Sequence, residues 1–189
     1  MNKLRIWLRE NGILLCNTNP QLPALEDIGC TWQEVTELID SHEVFYSKVF
    51  QGRTTYLSVE AYYLLKEVKK QKPLTESARR IWELLRKSPG SETELLKEIS
   101  ALPSKEYQKG FDFLLKNLYV TALQNGRRLN DNWSSFLYGT AEQWESNVPN
   151  RFSCDDPRER LWEILSGVMT EKQFLYVCEI KKREGRKAL

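Results

Sequence analysis

Residues 104–138 read SKEYQKGFDFLLKNLYVTALQNGRRLNDNWSSFLY, and this stretch decides the fold. Tyr107, Phe111, Leu114, Leu115 and Leu118 recur at three- and four-residue spacing while Lys105, Gln108, Lys109, Asp112 and Lys116 fill the opposite side, so 104–118 reads as an amphipathic helix. Residues 119–124 read as a strand, 125–132 as a loop holding Asn-Gly and Arg-Arg, and 133–138 as the return strand. Upstream, Ala78, Ile81, Trp82 and Leu85 form a helical stripe over 75–88 that Ser88-Pro89-Gly90 ends. Ser91 and Glu94 have capping-box spacing and open a short helix carrying Leu95, Leu96 and Ile99. Three helices followed by a hairpin is the order of a winged helix-turn-helix, and it predicts an α+β fold.

The N-terminal part reads as a helix–β-hairpin–helix unit. Leu4, Trp7 and Leu8 lie on one helical face, and Gly12 suits a left-handed stop. Ile13 to Cys16 read as a brief strand and 17–23 as a loop. Thr31 and Glu34 form a capping box before Trp32, Val35, Leu38 and Ile39. Residues 44–50 and 53–57 flank Gln51-Gly52 as a hairpin, and Ala61, Leu64, Leu65 and Val68 return to helical period. The helix-then-hairpin pattern recurs at 31–57 and 104–138. Asp156, with Pro157 and Glu159, caps one further helix, and Thr170 with Gln173 caps another reaching about 180, a C-terminal helical pair. The expected domains are 1–73, the winged helix 74–145, helices at 146–180 and a basic tail at 181–189. A unit of about 70 residues is small to stand alone, so the first is expected to pack on the second.

Among 189 residues, 41% are apolar and 21 are aromatic, which excludes a disordered tail; mean hydropathy is −0.55. Lys181, Lys182, Arg183, Arg186 and Lys187 against Glu184 give the tail a charge of +4, so a net +2 leaves about −2 for residues 1–180. Any nucleic-acid contact must therefore come from local patches. The N-terminus shows no secretory signal and no segment approaches a membrane span. Cys16, Cys30, Cys154 and Cys178 form no Cys-x-x-Cys pair. A cytoplasmic protein with reduced thiols, no metal, no cofactor and no membrane partner is expected.

Nucleophilic triads would have to use His42, the one imidazole, which reads as an exposed turn residue. Walker A, Gly-rich dinucleotide and His-Glu-x-x-His signatures are missing. The acidic pairs Glu26-Asp27 and Asp155-Asp156 read as helix-start charges. The lysine row Lys105, Lys109 and Lys116 suits phosphates if the third helix enters a major groove, and Gln108 suits an adenine edge. Arg127 and Arg128 on the wing suit phosphate or a minor groove, braced by Asn132 or Trp133. Lys48 and Arg53, among Tyr46, Phe50 and Tyr56, offer a second basic ribbon whose rings read first as packing. Lysines on a surface helix also serve solubility alone, and Glu106 and Asp112 interrupt the row.

The strings WLRENGILLCN, LPALEDI, EVFYSKVFQGRTTYLS, SARRIWELLRKSPGSETELLKEI and YGTAEQWE, with the pattern Lys48-x-x-x-Gly52-Arg53-x-Thr55-Tyr56, resemble the AlkZ-related proteins of bacteria. These are relatives of the AlkZ/YcaQ winged-helix DNA glycosylases. The resemblance covers about residues 4–180 and implies tandem winged-helix units that cradle duplex DNA, with a role near DNA repair. The glycosylases carry Gln-x-Gln or Gln-x-Asp to position water. None of the glutamines here, at 21, 33, 51, 71, 108, 124, 143 and 173, has Gln or Asp two positions on. The chain also looks short for such an enzyme, and the resemblance carries over no catalytic residue.

Three functions follow as expectations. The first is a non-enzymatic protein binding double-stranded DNA, linked to DNA repair or transcription regulation. The second is a protein-interaction or homodimerisation module, which the mildly acidic body favours. The third is a divergent DNA glycosylase.

Overall fold

The opening amphipathic pattern forms α1 (Lys3–Asn11), which buries Leu4 and Leu8; Asn2 caps it and Gly12, at φ 70°, ends it by donating its N–H to Leu8. The computed structural model describes residues 2–130, 133–148 and 151–180, with side chains throughout except at 128–130, 133 and 134. Asn132 and the tail at 181–189 lie outside the described residues, as do the side chains of Arg128 and Trp133. After β1 (Ile13–Leu15), the Thr31–Glu34 capping box forms as its spacing predicts and opens α2 (Trp32–Asp40). Then come β2 (Val44–Phe50), β3 (Arg53–Ser58) and α3 (Val59–Val68), with Gln51 and Gly52 both at positive φ in the hairpin turn. The second half runs α4 (Glu76–Lys87), α5 (Thr93–Ser100), α6 (Ser104–Lys116), β4 (Val120–Asn130), β5 (Trp133–Thr140), α7 (Ala141–Glu145), α8 (Pro157–Leu165) and α9 (Glu171–Val177). The fold is α+β, with small antiparallel sheets.

Four local expectations are corrected. Residues 125–130 are strand rather than loop, because β4 and β5 stay paired through several register shifts. Ser91 does not cap α5: it forms a bridge with Tyr138, and Glu92 occupies the N-cap without a side-chain bond. α7 lies where a connector was expected, opened by a Thr140–Gln143 capping box. α9 stops at Val177, and Glu179 turns left-handed at φ 55°.

The two halves repeat one order. β1 pairs with β3 rather than β2, and Ser91 bridges to β5 rather than β4, so a segment of each half joins the second hairpin strand, as a strand in the first half and as a single bridging residue in the second. α2 and α6 also end alike. Glu43 N donates to Leu38 O at 3.0 Å and Tyr119 N to Leu114 O at 2.9 Å, each just after a left-handed residue, His42 or Leu118. Each hairpin exits through a hydroxyl cap, Ser58 into α3 and Thr140 into α7.

The halves embrace reciprocally: α2 packs on β4, and α6 packs on β2. Tyr46 N, on β2, donates to Thr121 Oγ1 on β4 at 2.8 Å, satisfying a buried strand donor across the junction. Both hydrophobic cores draw on both halves. In one, Phe45 stacks on Tyr62 at 4.0 Å, and Trp144 of α7 meets both rings edge-on at about 5 Å. The other gathers Tyr46, Tyr56, Phe111, Phe136 and Tyr138. A buried aromatic contributes roughly 1.5–3 kcal/mol by area, and a well-placed ring pair about 0.5–1.5 more, so these clusters hold the halves together. Of the C-terminal helices, α8 braces α3, with Arg160 Nε 2.8 Å from Glu60 Oε1, and α9 packs on β2.

Candidate nucleic-acid interface

α6 enters at Pro103, whose fixed φ suits a helix start, and buries Tyr107, Gly110, Phe111, Leu114 and Leu115. A Cβ at Gly110 would lie 3.0 Å from the Ser77 backbone carbon and from Ile81 Cδ1, so glycine sets how closely α6 approaches α4. At about 100° per residue, Lys105, Lys109 and Lys116 fall within roughly 40° of one another, opposite the buried face. Lys105 and Lys109 are exposed and Lys116 is half-buried; none of the three forms an ion pair with a described residue. Eleven residues of helix rise spread the row over about 16 Å.

Gln108 lies on the flank of α6 that meets β2. Its Nε2 donates to Asp112 Oδ2 at 2.9 Å, and the other Asp112 oxygen is 2.6 Å from Lys48 Nζ. This string ties the first hairpin to α6, and it pairs the Lys48 ammonium with a carboxylate. Tyr46, Phe50 and Tyr56, the rings beside it, are buried. Arg53 is exposed where β3 leaves the turn.

On the second hairpin, Arg127 is exposed in the irregular part of β4, and Ser135 Oγ donates to its carbonyl at 3.2 Å. Arg128 and Trp133 lie on β4 and β5, opposite Ser134 and Asn130 respectively. A groove links the β4–β5 hairpin and α6. Its first cavity, about 330 Å³, takes in Arg127, Trp32, Cys16, Tyr56 and Phe136, and the second, about 370 Å³, takes in Lys48, Lys97 and Gln108. Both share Tyr46, Thr93, Glu94 and Tyr138. The structure thus brings Lys48, Gln108 and Arg127 to one groove, while the lysine row lines neither cavity and runs along the outer face of α6.

Sequence reasoning missed Lys97, Trp32 and the tyrosine floor of this groove. The exposed position of Lys97 on α5 is a local signal, but the floor is assembled from both halves and has none. Glu92 and Glu94 offset the groove's cations. Burial raises the thiol of Cys16 and places the hydroxyls of Tyr56 and Tyr138 well above their ordinary range, so all three are neutral groove walls. His42 is half-buried rather than exposed, and burial lowers its pKa.

Among the described residues no three His, Cys, Asp or Glu side chains gather as a metal ion requires, and no helix is long and apolar enough to cross a membrane. A family model described as AlkZ related matches residues 24–182. No curated protein and no solved structure matches the chain.

Proposed function

The chain belongs to the AlkZ-related family, and from that premise we propose that it is a non-enzymatic DNA-binding protein working near DNA repair or transcription regulation. The observation that carries this reading is the lysine row on the outer face of α6, which forms no ion pair with a described residue. It sits in a unit ordered as a winged helix is: α4, the Ser91 bridge, α5, α6, then the β4–β5 hairpin. The matching order of the first half supports a tandem arrangement, with 1–73 and 74–145 as the two modules and 146–180 as a brace.

In this reading Lys105, Lys109 and Lys116 hold phosphates, and Arg127, with Arg128 beside it, serves the wing. Gln108 reaches a base edge only by leaving Asp112, and Lys48 acts mainly by fixing α6 against β2. The non-enzymatic part rests on the missing Gln-x-Gln or Gln-x-Asp motif, since base removal needs a water held beside the extruded nucleotide. Fluorescence anisotropy with a labelled duplex tests the reading. Binding is expected at about 50 mM salt, weakening steeply by about 200 mM as counterions are released. A chain that leaves the duplex unbound at the lower salt contradicts it.

One observation favours a second reading, a protein-interaction or dimerisation module. Leu95 and Ile99 stand exposed one turn apart on α5, at 48% and 54%.

A further inference from the structure

α3 ends in a run of cations, with Lys66, Lys69, Lys70 and Lys72 within seven residues. The next segment returns past the end of α6, where Tyr119 Oη donates to the Lys72 carbonyl at 2.5 Å. Between them lies a cavity of about 100 Å³ lined by Lys66, Lys69, Lys70, Gln71, Asn117 and Leu118. It is several times the roughly 10–15 Å³ that one water needs.

Lys69 is the unusual member. Its side chain is only 4% exposed, and a lysine buried this deeply is rare unless paired. Its one ion-pair partner among the described residues is Glu179, whose Oε1 lies 2.8 Å from Nζ, while Oε2 lies 2.6 Å from Lys72 Nζ. The Lys69 contact is an ion pair without hydrogen-bond alignment, so its donors meet no aligned acceptor among the described residues. Lys66 Nζ, by contrast, donates a hydrogen bond to Glu145 Oε1. Two carboxylates therefore face four lysines, and Lys116, at the end of α6, adds a fifth positive charge that acts on Lys69. Burial lowers the Lys69 pKa, Glu179 opposes this, and Lys72 and Lys116 lower it further.

Glu179 is held in place at a cost. It adopts φ 55°, a left-handed conformation that favours glycine and strains a side-chain-bearing residue. The left-handed turn puts its carboxylate between Lys69 and Lys72, as a resident anion.

We propose that the cavity lined by Lys66, Lys69 and Lys70 at the end of α6 is a phosphate-binding site for which the Glu179 carboxylate, paired with Lys69 and with the neighbouring Lys72, competes. An incoming phosphate displaces Glu179 from the two ammonium groups, and the backbone strain at Glu179 favours its release. Lys116 belongs both to the α6 row and to the surroundings of this cavity, so a strand lying on the row has its next phosphate within reach of it. That assignment to a DNA phosphate rests on the proposed function; the anion site itself does not.

The test uses the full chain with Glu179→Gln and Glu179→Gly. The glycine variant suits the left-handed backbone and keeps the chain folded if the lost ion pairs destabilise the glutamine variant. Inorganic phosphate in excess is expected to raise the thermal midpoint of either variant by roughly 3–5 °C and to move wild type far less. Adding Lys69→Met should abolish the response. Duplex affinity of the variants should rise roughly fivefold over wild type, about the upper end for one charge pair near a surface. A phosphate response without a duplex gain supports the site and assigns it to free phosphate, even if wild type binds no duplex. Variants that respond to neither phosphate nor duplex more than wild type overturn it.

Discussion

His42 combines two constraints at one residue: it turns α2 into β2 at φ 57°, and it is the only imidazole in the chain. Burial holds its pKa below the ordinary 6.5, against a smaller pull from Asp40. The unfolded chain therefore takes up its proton at higher pH than the folded protein, and stability present above about pH 6.5 declines as pH falls below that value. Asn tolerates the same left-handed backbone. His42→Asn should accordingly flatten the fall in thermal midpoint between about pH 7 and pH 5. The acid loss below about pH 4.5 should persist, since Glu34, Glu43 and Glu179 are all held below the usual carboxylate range and lose their contacts there. Equal slopes for wild type and variant would remove His42 from the account.

At the scale of elements, the contact of α6 with α4 is set by Gly110. Gly110→Ala gains helix propensity of about 1 kcal/mol but presses a methyl against the Ser77 backbone and Ile81, and overpacking of this kind costs about 1–3 kcal/mol. A net loss of up to about 2 kcal/mol in urea denaturation is expected, and a stabilised variant would show that the two helices have room to separate. α2, α6 and both hairpins were readable in the sequence because their signals are local: the 3.6-residue stripe, the Thr31–Glu34 box, and Gln51-Gly52. α7 had a signal of the same type in Thr140 and Gln143, which went unread beside the loop-like residues that follow. The inner half of β4 was hidden by Asn125-Gly126, a pair that usually marks a turn, whereas here β4 continues through it with shifted register. Ser91 carries capping-box spacing, yet its backbone is engaged with Tyr138.

At the scale of the whole molecule, the reciprocal embrace of the halves could not be read from spacing. Lys48 meets Asp112 across 64 residues, and Asp40 accepts from Asn125 N across 85, separations at which no periodicity survives. The candidate site divides the same way. The outer lysine row follows from helical period alone, whereas the engagement of Gln108 by Asp112 and of Lys69 by Glu179 depends on how the halves and the C-terminal helices come together. The embrace also separates the row from the groove, so the row's contribution can be measured by itself. Lys105 and Lys109 are exposed and form no ion pair with a described residue, so reversing both charges should leave the thermal midpoint within about 4 °C. The most direct measurement is the salt dependence of duplex binding by Lys105→Glu/Lys109→Glu beside wild type. A logarithmic slope shallower by about 2, with affinity at about 50 mM salt at least tenfold weaker, is the predicted result. An unchanged slope and affinity in the folded variant would contradict DNA binding through α6.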